Sequence, residues 1–418
     1  MKCSHHLLTL LAPTLAATLF APGAAAAEPE GFIDGSKGTL TLRSYYMNRN
    51  YVKQARTGQA EAWTQSFILD IRSGFTQGTL GFGVDVLGLW ALKLDGGAGS
   101  GGTDLLPVHD DGRQAKDFGR LAIAPKIRFA KTEVKIGEWV PRYPILYAEQ
   151  WGRSLPQTFR GGEIRSKDIE NLTLLAGQVQ ATSLRASSDM QDMTAFGARS
   201  DRFNYAAGEY TFNDKRTLIG LWNAQLKDIY NQQYVQFSHS QPIADWLLGA
   251  QMGYYVGRDD GSARAGKLDN QTYSGFFSAQ NGPHTFFLGL QKISGSSDWM
   301  GVDGTSSTSQ YLANHSFNSK FDAAGERSWQ LRYDFNFAAV GVPGLVLMNR
   351  YIKGDNVHAD GQTGGREYLR ETELAYTIQE GTLKDLDIRW RNGTERRSWM
   401  PYNFDENRLT VSYPVSLF

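Results

Sequence analysis

The sequence has 418 residues, equal numbers of basic and acidic side chains (43 of each) and a mean hydropathy of -0.40. Balanced charge gives no electrostatic case for a nucleic-acid partner, and a single cysteine, Cys3, excludes a disulfide framework and a thiolate metal site. Nothing after the N-terminal region is apolar enough for a spanning helix, but a spanning strand needs only about 9–11 residues with half of them apolar, so a membrane β-barrel passes this filter.

The chain opens with Lys2, an apolar run over 7–20 and small residues over 24–27. That order predicts a cleaved export signal over residues 1–27, since the apolar run is too short for an anchor and ends at Pro22-Gly23. Residues 28–418 are then expected to form one domain without a cysteine.

From Thr39 onward the sequence alternates. In 329–337, Trp329, Leu331, Tyr333, Phe335 and Phe337 are apolar, and Gln330, Arg332, Asp334 and Asn336 between them are polar. Successive strand side chains face opposite ways, so such a segment has one apolar and one wet face. The pattern predicts strands near 39–49, 64–75, 79–91, 118–129, 132–139, 157–169, 172–181, 202–212 and 216–226. It continues at 231–240, 246–257, 271–280, 284–293, 327–337, 345–353, 367–379, 384–392 and 405–417. These are about eighteen strands, the even number of a single-chain barrel that is apolar outside and polar inside.

Breaks after odd strands are long (50–63, 92–117, 140–156, 182–201, 258–270, 294–327, 354–366 and 392–404), the short 227–230 excepted. Breaks after even strands are tight, as at Gln77-Gly78, Glu170-Asn171, Asn213-Asp214 and Asn281-Gly282. Long external loops and short periplasmic turns produce this alternation, and a sandwich or propeller does not. A glycine-rich linker, 96–102, falls in the second long loop. Tyr45, Tyr46, Tyr51, Trp139, Tyr254, Tyr255, Trp329 and Tyr351 lie near strand ends and are expected to form interfacial girdles.

Parity also places the lumen. In 384–392, Leu386, Ile388 and Trp390 face outward, so Asp387, Arg389 and Arg391 face inward. In 39–49 the inward set is Thr39, Thr41, Arg43, Tyr45, Met47 and Arg49. The same rule puts Lys126, Arg128, Lys131, Lys135, Arg165, Lys167, Arg332 and Arg408 inside. Closure makes the first and last strands neighbours, so Arg43, Arg49, Arg389, Arg391 and Arg408 converge on one wall. Guanidinium groups stay charged and bind carboxylates with two prongs, so such a row offers an anion successive weak sites. The alternative is an ordinary charged lumen neutralised by Asp70, Asp85, Glu133, Glu371 and Asp387.

Several stretches resemble the OprD family of substrate-specific porins (the Occ channels). They are GFIDGSKGTLTLRSYYMNRNY, RSLPQTFRGGEIRSKDIENLTLLAGQ, ERSWQLRYDFNFAAVGVPGL with RYIKGDN, and DENRLTVSYPVSLF. The resemblance implies an all-β, transmembrane antiparallel barrel of eighteen strands in the outer membrane of a Gram-negative bacterium. Lipid and lipopolysaccharide would surround it, in a loose homotrimer. The third and seventh external loops would fold inward, and small carboxylate-bearing nutrients would pass along an arginine ladder without a cofactor. Arg49 and Arg153 sit in matching motifs, Arg43, Arg389 and Arg391 match more loosely, and Arg185 more loosely still.

Two features depart from this pattern. Phe418 lies one step off the apolar parity of Leu409, Val411, Tyr413, Val415 and Leu417, which a bulge at Pro414 would restore. Asp298, Asp303 and Asp322 in the seventh loop favour a cationic group, as in a porin for basic amino acids or peptides. A general diffusion pore and an adhesive barrel are the other classes. A serine-peptidase reading would use Ser296 or Ser297 with His315 and Asp298, but no Gly-x-Ser-x-Gly elbow is present. His109, His239, His284, His315 and His358 lack metal-ligand spacing, so neither catalysis nor a metal is expected.

Overall fold

The computed structural model describes residues 31–418 apart from 53–57, 98 and 360, so the expected export signal lies outside the described residues. The chain forms β1 (Lys37–Val52), β2 (Gln59–Arg72), β3 (Leu80–Asp95), β4 (Asp117–Phe129), β5 (Thr132–Trp139) and β6 (Thr158–Ser166). It continues through β7 (Leu172–Ser183), β8 (Phe203–Phe212), β9 (Thr217–Leu226), β10 (Tyr230–Ile243), β11 (Trp246–Asp259) and β12 (Asp269–Asn281). The last third holds β13 (His284–Gly295), β14 (Arg327–Asn336), β15 (Leu345–Ala359), β16 (Gln362–Thr377), β17 (Asp387–Arg397) and β18 (Asn403–Ser416). Every strand pairs antiparallel with its chain neighbours, and β1 pairs with β18, closing an eighteen-stranded barrel. Closure satisfies each backbone donor and acceptor inside the sheet, the condition for strands in lipid.

The alternation behaves as read. On β4, Leu121, Ile123, Ile127 and Phe129 are exposed, whereas Ala122, Ala124 and Lys126 between them are buried. Several expectations need correcting. Lys131 lies in the turn before β5, not in a strand, and is exposed. Tyr45, Trp139 and Tyr255 are buried inside the barrel and not in a girdle, while Trp329 and Tyr351 do face outward. The breaks expected at 50–63, 354–366 and 392–404 are mostly strand, because backbone pairing continues above the apolar belt where side-chain alternation no longer signals it.

No bulge occurs at Pro414. β1 and β18 stay in register from Val52 opposite Asn403 to Thr39 opposite Ser416, with Pro414 opposite Thr41. The strand ends at Ser416, the Leu417 amide donates to the Gly38 carbonyl at 2.9 Å, and the Phe418 ring lies over Gly38, where no Cβ stands in its way. Release from pairing, rather than a bulge, lets Phe418 leave the parity.

The apolar core sits inside the lumen. Residues 140–157 (loop 3) and 296–326 (loop 7) fold inward, and Ile145, Leu146, Met300 and Leu312 pack on Phe203, Trp222, Tyr234 and Tyr255 of the inner wall. The loops also bind each other: the Ser306 amide donates to the Tyr147 carbonyl at 2.8 Å, and the Gln157 amide to the Asp303 carbonyl at 3.1 Å.

Candidate functional site

The lumen wall made by β14–β18 and the adjoining β1 is a lattice of opposite charges. Cross-strand register sets Arg49 opposite Glu406 and, one step on, Arg408 opposite Arg391 and Arg391 opposite Glu373. Arg49 binds Glu406 at 2.6 Å, and Arg408 shares the same carboxylate. Arg389 and Arg391 both bind Glu373, at 2.7 Å for Arg389, which also lies 3.4 Å from Asp387. Arg350 pairs with Glu371, Arg332 with Asp334, and Arg397 with Glu367 and Glu395. The arginines 49, 332, 350, 389, 391, 397 and 408 are thereby matched by as many carboxylates.

Loop 3 supplies charge without that compensation. Arg43 of β1 points into the lumen, but its guanidinium donates to the Gln150 carbonyl at 2.8 Å and the Arg153 carbonyl at 3.1 Å. It also stacks 4.4 Å from the centre of the Trp151 ring. The Tyr45 hydroxyl donates to the Gly152 carbonyl at 3.1 Å, and Thr64 and Ser154 join their hydroxyls at 2.8 Å. Arg43 is therefore the peg that holds loop 3 against β1, and not a free rung. Arg153, at the pinned point, is buried and donates to the Gly152 carbonyl, while its Nε has no partner among the described residues. Among the described residues no carboxylate lies within 4.0 Å of Arg43 or Arg153. Burial, then the neighbouring Arg185 and Arg408, lower the Arg153 pKa to about 10, so the group stays charged at neutral pH. Arg185, on the loop after β7, reaches Asp104 at 3.6 Å and remains partly exposed.

Loop 7 closes the other side. Its Phe317 ring lies 3.7 Å from the Arg391 guanidinium and 4.5 Å from that of Arg350, and Arg408 donates to the Phe317 carbonyl at 3.0 Å and to the Asn318 side chain. Three of the expected site residues, Arg49, Arg389 and Arg391, thus lie on the paired wall. Arg43 and Arg153 meet at loop 3, with Arg185 near Arg153. Phe317 was invisible in the sequence, because nothing in a Ser- and Asn-rich loop says which residue turns inward. Arg350, Glu373 and Glu406 were readable by parity, since Glu367, Leu369, Glu371 and Glu373 share one buried face of β16.

Two of the acidic residues of loop 7 are engaged by donors of the protein itself. Asp303 accepts from the Thr194 hydroxyl at 2.6 Å and Asp298 from the Ala324 amide at 2.7 Å. Ser297 is tied to the Asp269 amide, whereas His315 Nε2 meets the Ser306 hydroxyl at 3.0 Å. The other ring nitrogen of His315 has no partner among the described residues, and burial, with Lys320, Arg350 and Arg185 nearby, holds its pKa well below the usual histidine range.

Comparison with known proteins places this geometry among bacterial porins. The family profile described as "outer membrane porin, OprD family" matches residues 30–417. The porin-like protein GalP of Pseudomonas putida is 54% identical over 100% of both chains. A BenF-like porin from Pseudomonas fluorescens Pf-5 is 59% identical with a TM-score of 0.90, covering 93% of this chain and 100% of that one. The OccK2 (OpdF) channel of Pseudomonas aeruginosa, solved in complex with glucuronate, is 55% identical with a TM-score of 0.85, covering 93% and 100%.

Proposed function

This chain belongs to the OprD family of substrate-specific outer-membrane porins, and we propose that it passes small carboxylate-bearing solutes along the Arg–Glu wall and past Arg153. The observation that carries this reading is the uncompensated pair Arg43 and Arg153, buried where loop 3 narrows the lumen. An anion entering there meets a fixed positive charge with donors to spare, while a cation is repelled. The paired arginines extend the path, since a guanidinium has five N–H donors and its glutamate occupies only some of them. A passing carboxylate takes the remainder, and the glutamate keeps each station weak enough to leave. The complex of OccK2 with glucuronate is a supporting analogy.

The exposed apolar belt fits outer-membrane lipid and lipopolysaccharide, and a loose homotrimer is part of the same proposal. No catalysis is proposed, because a Ser–His pair without a group orienting the free ring nitrogen lacks the third element of a triad. The engagement of Asp298 by Ala324 and of Asp303 by Thr194 argues against a mouth built for basic amino acids.

The test is liposome uptake of glucuronate. Arg153→Ala is expected to lower the flux by roughly one to two orders of magnitude, since a partly desolvated charge-assisted hydrogen bond is worth about 1.5–3 kcal/mol. Arg113→Ala, at an exposed position beside Asp111, is expected to have little effect. Equal flux in all three proteins would remove the carboxylate reading.

A further inference from the structure

Outside the Arg–Glu wall, residues of β2–β9, the underside of loop 3 and Tyr311 of loop 7 line a cavity of about 610 Å³ on the turn side of the constriction. Some of its cations are already partnered. Arg72 binds Asp70 at 2.8 Å, Lys126 binds Asp85 at 2.6 Å, and Arg165 lies 3.3 Å from Glu163 and 2.9 Å from the Tyr143 hydroxyl. Three others, Lys135, Arg142 and Lys167, line the same cavity with no carboxylate within 4.0 Å among the described residues. Two lining carboxylates, Glu133 and Glu209, have no cation within that distance either, which leaves an excess of one positive charge among the unpaired groups.

An aromatic surface adjoins these cations. Trp139 is only 8% exposed, lines the cavity, and has an indole N–H without a hydrogen-bond partner among the described residues. The Lys135 ammonium stands 5.3 Å from the centre of its ring. Tyr143 of loop 3 and Trp222 of β9 place their ring centres 5.5 Å apart beside it. Cationic donors next to a planar apolar surface suit a solute with a carboxylate at one end and a ring at the other.

We propose that this cavity is a second carboxylate station, on the turn side of loop 3, selective for ring-bearing carboxylates. Lys135, Arg142 and Lys167 take the carboxylate, and Trp139, Tyr143 and Trp222 take the ring. It receives a solute after Arg153 and holds it before release, so conduction runs through two separate sites. The proposal rests on the carboxylate reading above but uses none of the residues that carry it.

The experiment uses the full barrel in a planar bilayer, with benzoate added on the turn side and acetate as the ringless arm, and reads the dwell time of current blockades. Wild-type protein is expected to hold benzoate longer than acetate. Lys135→Gln/Arg142→Gln/Lys167→Gln is expected to shorten the benzoate dwell by about tenfold or more. Lys167→Gln alone, at an exposed strand end, should move it the same way by a smaller factor and guards against a folding defect in the triple variant. Wild-type dwell times in both variants, or equal dwell for benzoate and acetate, would overturn the second station alone. Absence of carboxylate blockades from either side of the wild-type barrel would overturn it together with the carboxylate reading.

Discussion

Glu373 is the carboxylate that Arg389 and Arg391 share, and it is 2% exposed. Its position changes what a mutation of this wall reports. Removing Arg391 leaves Glu373 still paired with Arg389, so the loss in anion flux should be smaller than for Arg153, which has no carboxylate partner. Removing Glu373 does the reverse: it frees Arg391 and leaves Arg389 with Asp387 alone. Glu373→Gln is therefore expected to raise the anion-to-cation permeability ratio. An unpaired charge about 6 Å from the ion path in water-like surroundings contributes about 0.7 kcal/mol, roughly a threefold change. Reversal potentials in a salt gradient read this directly. An unchanged or lowered ratio would mean that the wall does not face the conducting path.

Loop 7 titrates where the strands around it are held by pairing. Burial, with Asp298 and Glu367 nearby, lifts the Asp322 carboxyl to about 6 against the pull of Lys320 and Arg397. An opened loop would return this group to the ordinary value of about 4. Between those limits the packed loop holds a proton that the opened loop has lost, so packing weakens as pH rises from about 4 to about 6 and changes no further above. Loop-derived flicker in single-channel current should accordingly increase by roughly tenfold across that window, and Asp322→Asn should flatten the rise. Flicker that falls with rising pH would contradict the sign. This element also marks the limit of what the sequence discloses. Strands were legible because a period of two is imposed by the pleat and by lipid on one side. Parity therefore placed Arg49, Arg389 and Arg391 inside and missed only Lys131, at a strand edge. The compensation of those arginines needed the register between strands, which no single strand reveals. The inward path of loops 3 and 7 depends on contacts far apart in the chain, such as Arg43 with Gln150. No local pattern encodes these, and the family motif alone drew attention to Arg153.

For the whole molecule, the long loops lie at one end and the tight turns at the other, and the outer-membrane location fixes which end faces outward. A cysteine at Gly99, exposed in the second long loop, should react with an impermeant thiol reagent on intact cells. One at Asp214, whose side chain is 92% exposed in a tight turn, should react only after the cells are opened. The opposite pattern would invert the barrel. Ser306 is unsuitable for this assay, since it is buried between Tyr147 and His315. Closure by β1 and β18 has a consequence in time as well as in space. Every other barrel seam joins strands made one after the other, but this one joins the two ends of the barrel-forming sequence, Thr39 opposite Ser416. β18 must be made before that seam can exist, so until then the growing sheet carries two open edges that would pair with any strand they met. Such a chain needs an escort between ribosome and membrane, and without β18 the sheet would keep both edges open and never become a tube.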